Sequence, residues 1–523
     1  MGLVMRPLSI RLECLVHHVE VHMRRASIAV LFCIAGLLVA GAAAQEQGFR
    51  DLEQRIEQRT LANGLKVILV PRPGAPVVSM VTYADVGSVD EDQNRTGLAH
   101  IFEHMAFKGT TTIGTTNAAV EAEALRKEDE AFLALRAERL RRPRPDPARL
   151  KELETAFEAA KQKAASYVDV GRLGQILEQE GASGLNAFTS FDQTVYVYSL
   201  PSNKLELWAA LEQDRFANPV LREFYKEKDV IMEERRMSES QPISRLLEDF
   251  LAVAFKGHMY RSFVIGHMSD LQGIRRSDAE AWFKKYYGAK NLTAVVVGDV
   301  KPATAWPMLE KWLGRIPPGE KPGPVVTEEP PQRAEKRLVM EDPSQPWLIV
   351  GYHRPAITDP DARAYEALSG VLAGGPSSRL YRALVKEKQV ALDAGSIPSL
   401  GTDKYAGLFL FYAMPNRGRT NAECEAAVNA EISRLMKEPV SPEELGGVKA
   451  RAKMSLITRL GDNMGLAQEL ATTENLRGSW RLLFRELDEI DRVTAADVQR
   501  VAQKTFLTSN RTVALIETSR AGK

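Results

Sequence analysis

Two stretches of this 523-residue chain repeat one plan on either side of a proline-rich segment. In the first, Asp278 to Tyr287 has helical spacing, and Asn291-Leu292-Thr293-Ala294-Val295-Val296-Val297 reads as a strand. In the second, Ala495 to Phe506 reads as a helix, and Asn510-Arg511-Thr512-Val513-Ala514-Leu515-Ile516 as a strand. A helix, a short turn and an N-x-T strand in each half predict an internal duplication at domain scale. Between them, Pro317 through Pro331 interleaves prolines with Glu, Lys and Gly, the composition of a linker. The expected division is an N-terminal domain over 45–316, a linker over 317–336 and a homologous C-terminal domain over 337–523.

The segments before the linker fill in that outline. Arg59 to Val70 reads as a hairpin turning at Asn63-Gly64, a pair that suits the positive backbone angles of a tight turn. Val77 to Val86 gives a second strand and Gly97 to Phe107 a helix. From about Glu121 to Tyr167 the chain is rich in Ala, Glu, Lys, Arg and Leu and is broken at Arg142-Pro143-Arg144-Pro145-Asp146-Pro147. Two long helices joined by a proline turn are predicted there. The plainest reading is a solvated hairpin inserted at about 121–167; the functional one is a docking arm for a partner.

Charge and cysteine content exclude several classes. A formal net charge of +1 supplies no field for nucleic acid, and no phosphate-binding glycine loop is present. Arg24-Arg25, the apolar run from Ala26 to Ala44 and its small-residue end, Ala42-Ala43-Ala44, read as a secretory signal over 1–44. An uncleaved membrane anchor is the alternative, since the run nears the length of a bilayer crossing. A start at Met23 would give the signal a compact basic region. Beyond that point only Cys424 remains, so no internal disulfide can form. Export without disulfides suits a bacterial periplasm.

His100, Glu103 and His104 occupy positions i, i+3 and i+4 of the predicted helix and project from one face. Two imidazoles one turn apart can hold one Zn²⁺, which lowers the pKa of a bound water to about 7. The carboxylate between them can take that water's proton, the chemistry of His-Glu-x-x-His written backwards. Leu98, Ile101, Phe102 and Met105 make the helix mostly buried, where two histidines and a glutamate are costly unless satisfied. A third ligand is sought in Glu227-Lys228-Asp229-Val230-Ile231-Met232-Glu233-Glu234. Glu227 and Glu234 share a face at two helical turns. Residue types alone leave Glu233 and Glu234 both open. His258, His267 and His353 are isolated and read as structural.

His100-Ile101-Phe102-Glu103-His104-Met105-Ala106-Phe107-Lys108-Gly109-Thr110 resembles the signature of the pitrilysin, insulysin and mitochondrial processing peptidase family, the inverzincins. The resemblance continues through Leu185-Asn186-Ala187-Phe188-Thr189-Ser190-Phe191-Asp192-Gln193-Thr194-Val195-Tyr196 and Glu227 to Glu234. It implies an α+β fold of two homologous domains, each a mainly antiparallel sheet packed with helices. It implies zinc, one ion per chain, on His100, His104 and Glu234, with Glu103 as general base and Glu227 as a supporting acid. It also implies a substrate-binding edge strand containing Asn186, Ala187 and Phe188, to which a peptide adds by main-chain hydrogen bonds.

One departure matters. Active single-chain relatives carry an Arg and a Tyr, seven apart, that contact the reacting carbonyl; Val385 and Leu392 stand at those positions here. Arg379 and Tyr381 are close by at the wrong spacing. The resemblance therefore implies a heterodimer, in which a homologous metal-free subunit supplies the pair. The competing expectations are a non-catalytic assembly or binding subunit that has kept the fold, and a zinc hydrolase acting on non-peptide bonds.

Overall fold

The computed structural model describes residues 51–401 and 404–519, together with Gly48. The signal reading over 1–44 lies outside the described residues. Among the described residues, no helix is long and apolar enough to cross a membrane.

The chain builds two sheets. The first holds β1 (Glu57–Thr60), β2 (Lys66–Pro71), β3 (Val77–Ala84), β4 (Ser183–Thr189), β5 (Thr194–Pro201) and β6 (Leu292–Gly298), in the order β1-β2-β6-β3-β5-β4. The second holds β7 (Lys336–Asp342), β8 (Trp347–Arg354), β9 (Ala391–Ile397), β10 (Gly407–Pro415) and β11 (Arg511–Thr518), in the order β7-β11-β8-β10-β9. Without β1, the first sheet repeats in the second strand for strand. Each has one parallel pair, β2 with β6 and β7 with β11, and is otherwise antiparallel. The two N-x-T strands are β6 and β11, the second member of that parallel pair in each half.

Local chemistry explains the strands. β6 is buried along its whole length, as its run Leu-Thr-Ala-Val-Val-Val-Gly requires of a strand covered on both faces. β4 alternates exposed and half-buried positions and, among the described residues, has no strand on its outer side. Gly64 closes the β1–β2 hairpin with a φ of 91°, which a side chain would strain.

The halves do not pack as two separate lobes; the described residues from Glu57 onward form one body. Each half lends a helix to the other's sheet. Helix Pro242–Ala254, from the N-terminal half, lies on β7, β8 and β11, with Leu246, Phe250, Leu251 and Ala254 buried. Helix Asn463–Arg477, from the C-terminal half, lies on β3 and β6, and its Glu474 pairs with Lys66 at 2.7 Å. Phe250 is fully buried, and β8 makes room for its ring with Gly351, where a Cβ would sit 2.4 Å from Phe250 Cζ. Phe250→Ala is therefore expected to destabilise the whole body by about 3–5 kcal/mol, read as a lower urea midpoint in a single transition. A loss under about 1 kcal/mol, or two separated transitions, would contradict the exchange of helices.

The linker residues are also tied down. Glu329 accepts hydrogen bonds from the backbone N–H groups of Lys256, Gly257 and His258 at 2.7, 2.8 and 3.0 Å. The arm predicted near 121–167 is a pair of helices, Ala118–Arg139 and Pro147–Ala165. Its first helix is not a solvated one. Glu121, Glu128, Phe132 and Leu135 are buried. Arg222, fully buried, meets Glu121 at 2.8 Å, and Arg276 pairs with Glu128. The pairs tie the arm to two later segments, Arg222 just before the helix Phe224–Ser240 and Arg276 at the start of the helix Arg276–Tyr286, and removing either arginine would leave a buried carboxylate uncompensated.

Candidate metal centre

The helix Leu98–Met105 starts at Gly97, whose φ of 96° disfavours a side chain and where a Cβ would sit 2.8 Å from both Ile265 O and Leu271 Cδ2. The Glu91 carboxylate accepts from the N–H groups of Gly97 and Ala99 at 2.9 and 2.8 Å, satisfying donors of the first turn. Leu98, Ala99, Ile101, Phe102 and Met105 face the core, and Phe102 stacks against Phe283 and Tyr287. This fixes the rotation of the helix, so Glu103 and His104 face the groove beside β4 and His100 faces Glu234.

The helix Phe224–Ser240 completes the cluster. It begins at Glu223, held at a left-handed φ of 54°, a conformation that costs a non-glycine residue of order 1 kcal/mol. Ile231 and Arg235 point into the protein. That phase brings Glu234 to the histidines and leaves Glu233 outside, paired with Arg236 at 2.7 Å. Glu234 Oε2 lies 3.8 Å from His100 Nε2 and 3.8 Å from His104 Nε2. All three donor atoms fall within 4.8 Å of one another. Donors around a tetrahedral zinc lie roughly 3.4 Å apart, so a small contraction would close the set, with a fourth position left open.

The surroundings suit a cation. Burial, with the neighbouring His104, lowers the His100 pKa to about 4, which keeps its imidazole neutral and its lone pair available. Among the described residues His100 Nδ1 has no hydrogen-bond partner. Burial works against the charged form of His104, yet the Glu227 hydrogen bond and the carboxylates of Glu234, Glu227 and Glu103 outweigh it and raise its pKa. His104 Nδ1 meets Glu227 Oε1 at 2.9 Å, which directs Nε2 toward Glu234. That hydrogen bond, helped by Lys108 and opposed by burial, brings Glu227 down to about 2. Glu103 is not among the three donors. Burial raises its pKa, and hydrogen bonds from the Thr189 side chain and backbone offset part of the rise. The donor set fits zinc, with a carboxylate beside the centre free to exchange a proton.

Two contributors were not singled out from the sequence. Lys108 Nζ bridges Glu227 at 2.6 Å and Glu223 at 3.5 Å. It stands one turn after His104, so its spacing could have revealed it. Thr189 closes β4 next to Glu103. Of the edge-strand residues, Asn186 and Ala187 line a groove of about 580 Å³ together with Glu103 and His104, whereas Phe188 does not. In the other half, Val385 packs against the core and Leu392 is half exposed. Arg379 is held by Glu444 through two hydrogen bonds of 2.8 Å. His258 and His353 make backbone hydrogen bonds away from the cluster, and Cys424 is buried against Val390 O.

The geometry can be set beside known proteins. The profile described as Insulinase (Peptidase family M16) matches residues 66–134 and 159–266, and the one described as Peptidase M16 inactive domain matches residues 273–452. Together they take in the greater part of the chain. The protein belongs to the M16 peptidase family. Zinc protease PqqE of Helicobacter pylori is 26% identical over 511 residues, covering 95% of this chain and all of that protein. A crystal structure of a protease from Helicobacter pylori superposes with a TM-score of 0.72 at 24% identity, over 88% of this chain and 99% of that one. The periplasmic protease PqqL from Escherichia coli gives a TM-score of 0.65 at 17% identity, over 89% of this chain but 48% of that one. This M16 chain has no insulinase match over residues 135–158, the distal part of the helical arm.

Proposed function

We propose that this M16 chain is the metal-bearing catalytic subunit of a zinc-dependent endopeptidase acting on peptides or unfolded segments. The observation that carries the reading is the convergence of His100, His104 and Glu234 with Glu103 left over beside them, next to the edge strand β4. A zinc ion on that donor set would polarise the scissile carbonyl and acidify a water. The chain's own residues do the rest. β4 aligns the peptide through main-chain hydrogen bonds along its free edge, with Asn186 and Ala187 nearest the reacting bond. Glu103 takes the proton of the attacking water and delivers it to the leaving amine. Glu227, anchored by Lys108, holds His104 in the orientation that presents Nε2. Glu227→Ala is expected to weaken metal affinity about 10–100-fold in competition with a chelator, with folding unchanged. Unaltered affinity would remove Glu227 from this role.

The partner reading rests on the missing pair. Val385 and Leu392 offer no hydrogen-bond donor, and Arg379 is engaged by Glu444. PqqL is about twice the length of this chain, and a structure of its first half alone is covered to 92%. We read a second, metal-free M16 subunit as standing where PqqL has the remainder of its chain. The leader from Arg24 to Ala44 supports export to the periplasm. The rival reading, a non-catalytic subunit, draws on the inactive-domain description. That match covers residues 273–452 and includes none of His100, Glu103, His104, Glu227 or Glu234. The deciding assay is cleavage of a fluorogenic unstructured peptide by the chain with a metal-free M16 partner, before and after removal of zinc by 1,10-phenanthroline. Loss on chelation and recovery with zinc are expected. No cleavage under any pairing would leave the assembly role.

A further inference from the structure

The edge strand and the metal-bearing helix are joined by one residue. Thr189, the last of β4, gives Glu103 one hydrogen bond from its side chain and another from its backbone. The place of Thr189 depends on the turn that follows it, residues 190–193, before β5 begins. Part of the hold on that turn is local. Ser88 N and Val89 N donate to Ser190 O and Phe191 O at 3.2 and 2.8 Å. Gly87 makes room for this approach, since a Cβ there would sit 2.3 Å from Phe191 O.

The rest of the hold comes from the C-terminal half. By strand order the β9–β10 hairpin is the counterpart of β4–β5, and its connecting loop reaches the β4–β5 turn. Asp192, fully buried in the turn, accepts from Lys404 N at 3.2 Å. The Tyr260 hydroxyl donates to the same carboxylate, 2.7 and 2.6 Å from its two oxygens, and accepts from Tyr405 N at 3.2 Å. Lys404 Nζ pairs with Asp85, the residue after β3. Gly401 lies against Phe191, where a Cβ would sit 3.0 Å from Phe191 Cδ2. A carboxylate this deep holds its donors tightly, because losing one is costly where no water replaces it.

We propose that Asp192, Tyr260 and Lys404 are positioning residues: they clamp the β4–β5 turn to the β9–β10 loop and so keep Thr189 in contact with Glu103. This rests on the peptidase reading of Glu103 and gives the C-terminal half a part in the reaction through the fold of this chain itself. A misplacement of about 1 Å caused far from the chemistry can cost roughly 100-fold in rate, so loosening the clamp acts on turnover rather than on substrate capture along the rest of β4.

The test uses Tyr260→Phe, which keeps the ring and removes the hydroxyl, Lys404→Met, which removes the charge, and Lys404→Arg, which keeps it. Turnover of a fluorogenic peptide with the metal-free partner present is read as kcat and KM, with zinc content and hydrogen exchange followed on the same samples. Tyr260→Phe and Lys404→Met are expected to lower kcat about 10–100-fold with KM within about threefold and zinc unchanged. Exchange is expected to quicken over residues 183–193 and not in the other strands of the first sheet, and Lys404→Arg is expected to recover most of kcat. Unchanged exchange in both variants would overturn the clamp, whether or not the wild type cleaves. Unchanged kcat, or a fall in kcat matched by loss of zinc or by faster exchange through the whole sheet, would overturn the positioning role. A wild type that cleaves nothing in any pairing, with faster exchange in the variants still confined to residues 183–193, would support the clamp and sink the peptidase reading instead.

Discussion

Glu103→Gln is expected to lower peptide turnover by roughly 10²–10⁴-fold while leaving the metal content unchanged. The substitution keeps the size of the side chain and an oxygen for Thr189, and removes only the capacity to take a proton. Glu103 lies at the cluster outside the donor set and, unlike Glu227, is not engaged by His104 and Lys108; burial raises its pKa, which makes it the better base. Turnover is measured with saturating peptide and the partner subunit present; zinc is measured on the same protein. Retained turnover would assign proton transfer elsewhere. Loss of turnover together with zinc would make Glu103 a structural support of the centre.

Adding a metal-free M16 subunit that carries the Arg and Tyr is expected to raise cleavage by about 10²–10³-fold over this chain alone, the usual worth of one oxyanion donor. The reason is chemical rather than architectural. At the tetrahedral stage negative charge grows on the former carbonyl oxygen, and a metal alone stabilises part of it. Val385 is packed against the second core, and Leu392 carries no donor. Arg379 cannot turn to the task without giving up its two hydrogen bonds to Glu444. Co-elution of the two subunits with the gain in rate would support the split site. A chain that cleaves as fast alone would show that another of its own donors serves.

The duplication was legible because a N-x-T strand after a helix recurs, and the sheets repeat that order down to the parallel pair. The histidines were legible because helical spacing forces i, i+3 and i+4 onto one face. Glu234 was not separable from Glu233 by type, since helix phase decides between them. That phase is set by burial of Ile231 and Arg235 against residues distant in sequence. The arm misled for a related reason: Glu121 and Glu128 look solvated until Arg222 and Arg276, about a hundred or more residues on, arrive as partners. The exchanged helices were invisible locally, because an apolar helical face does not say which sheet will cover it. Phe250 names its partner only once Gly351 lies beneath it.

The most direct measurement is zinc content by plasma mass spectrometry on the purified chain after exhaustive dialysis, alongside His100→Ala and Glu234→Ala, with circular dichroism on each. About one zinc per chain in the wild type and almost none in either folded variant is the expected result. A wild type without zinc, or variants that hold as much as the wild type, would contradict the metal centre on which the rest depends.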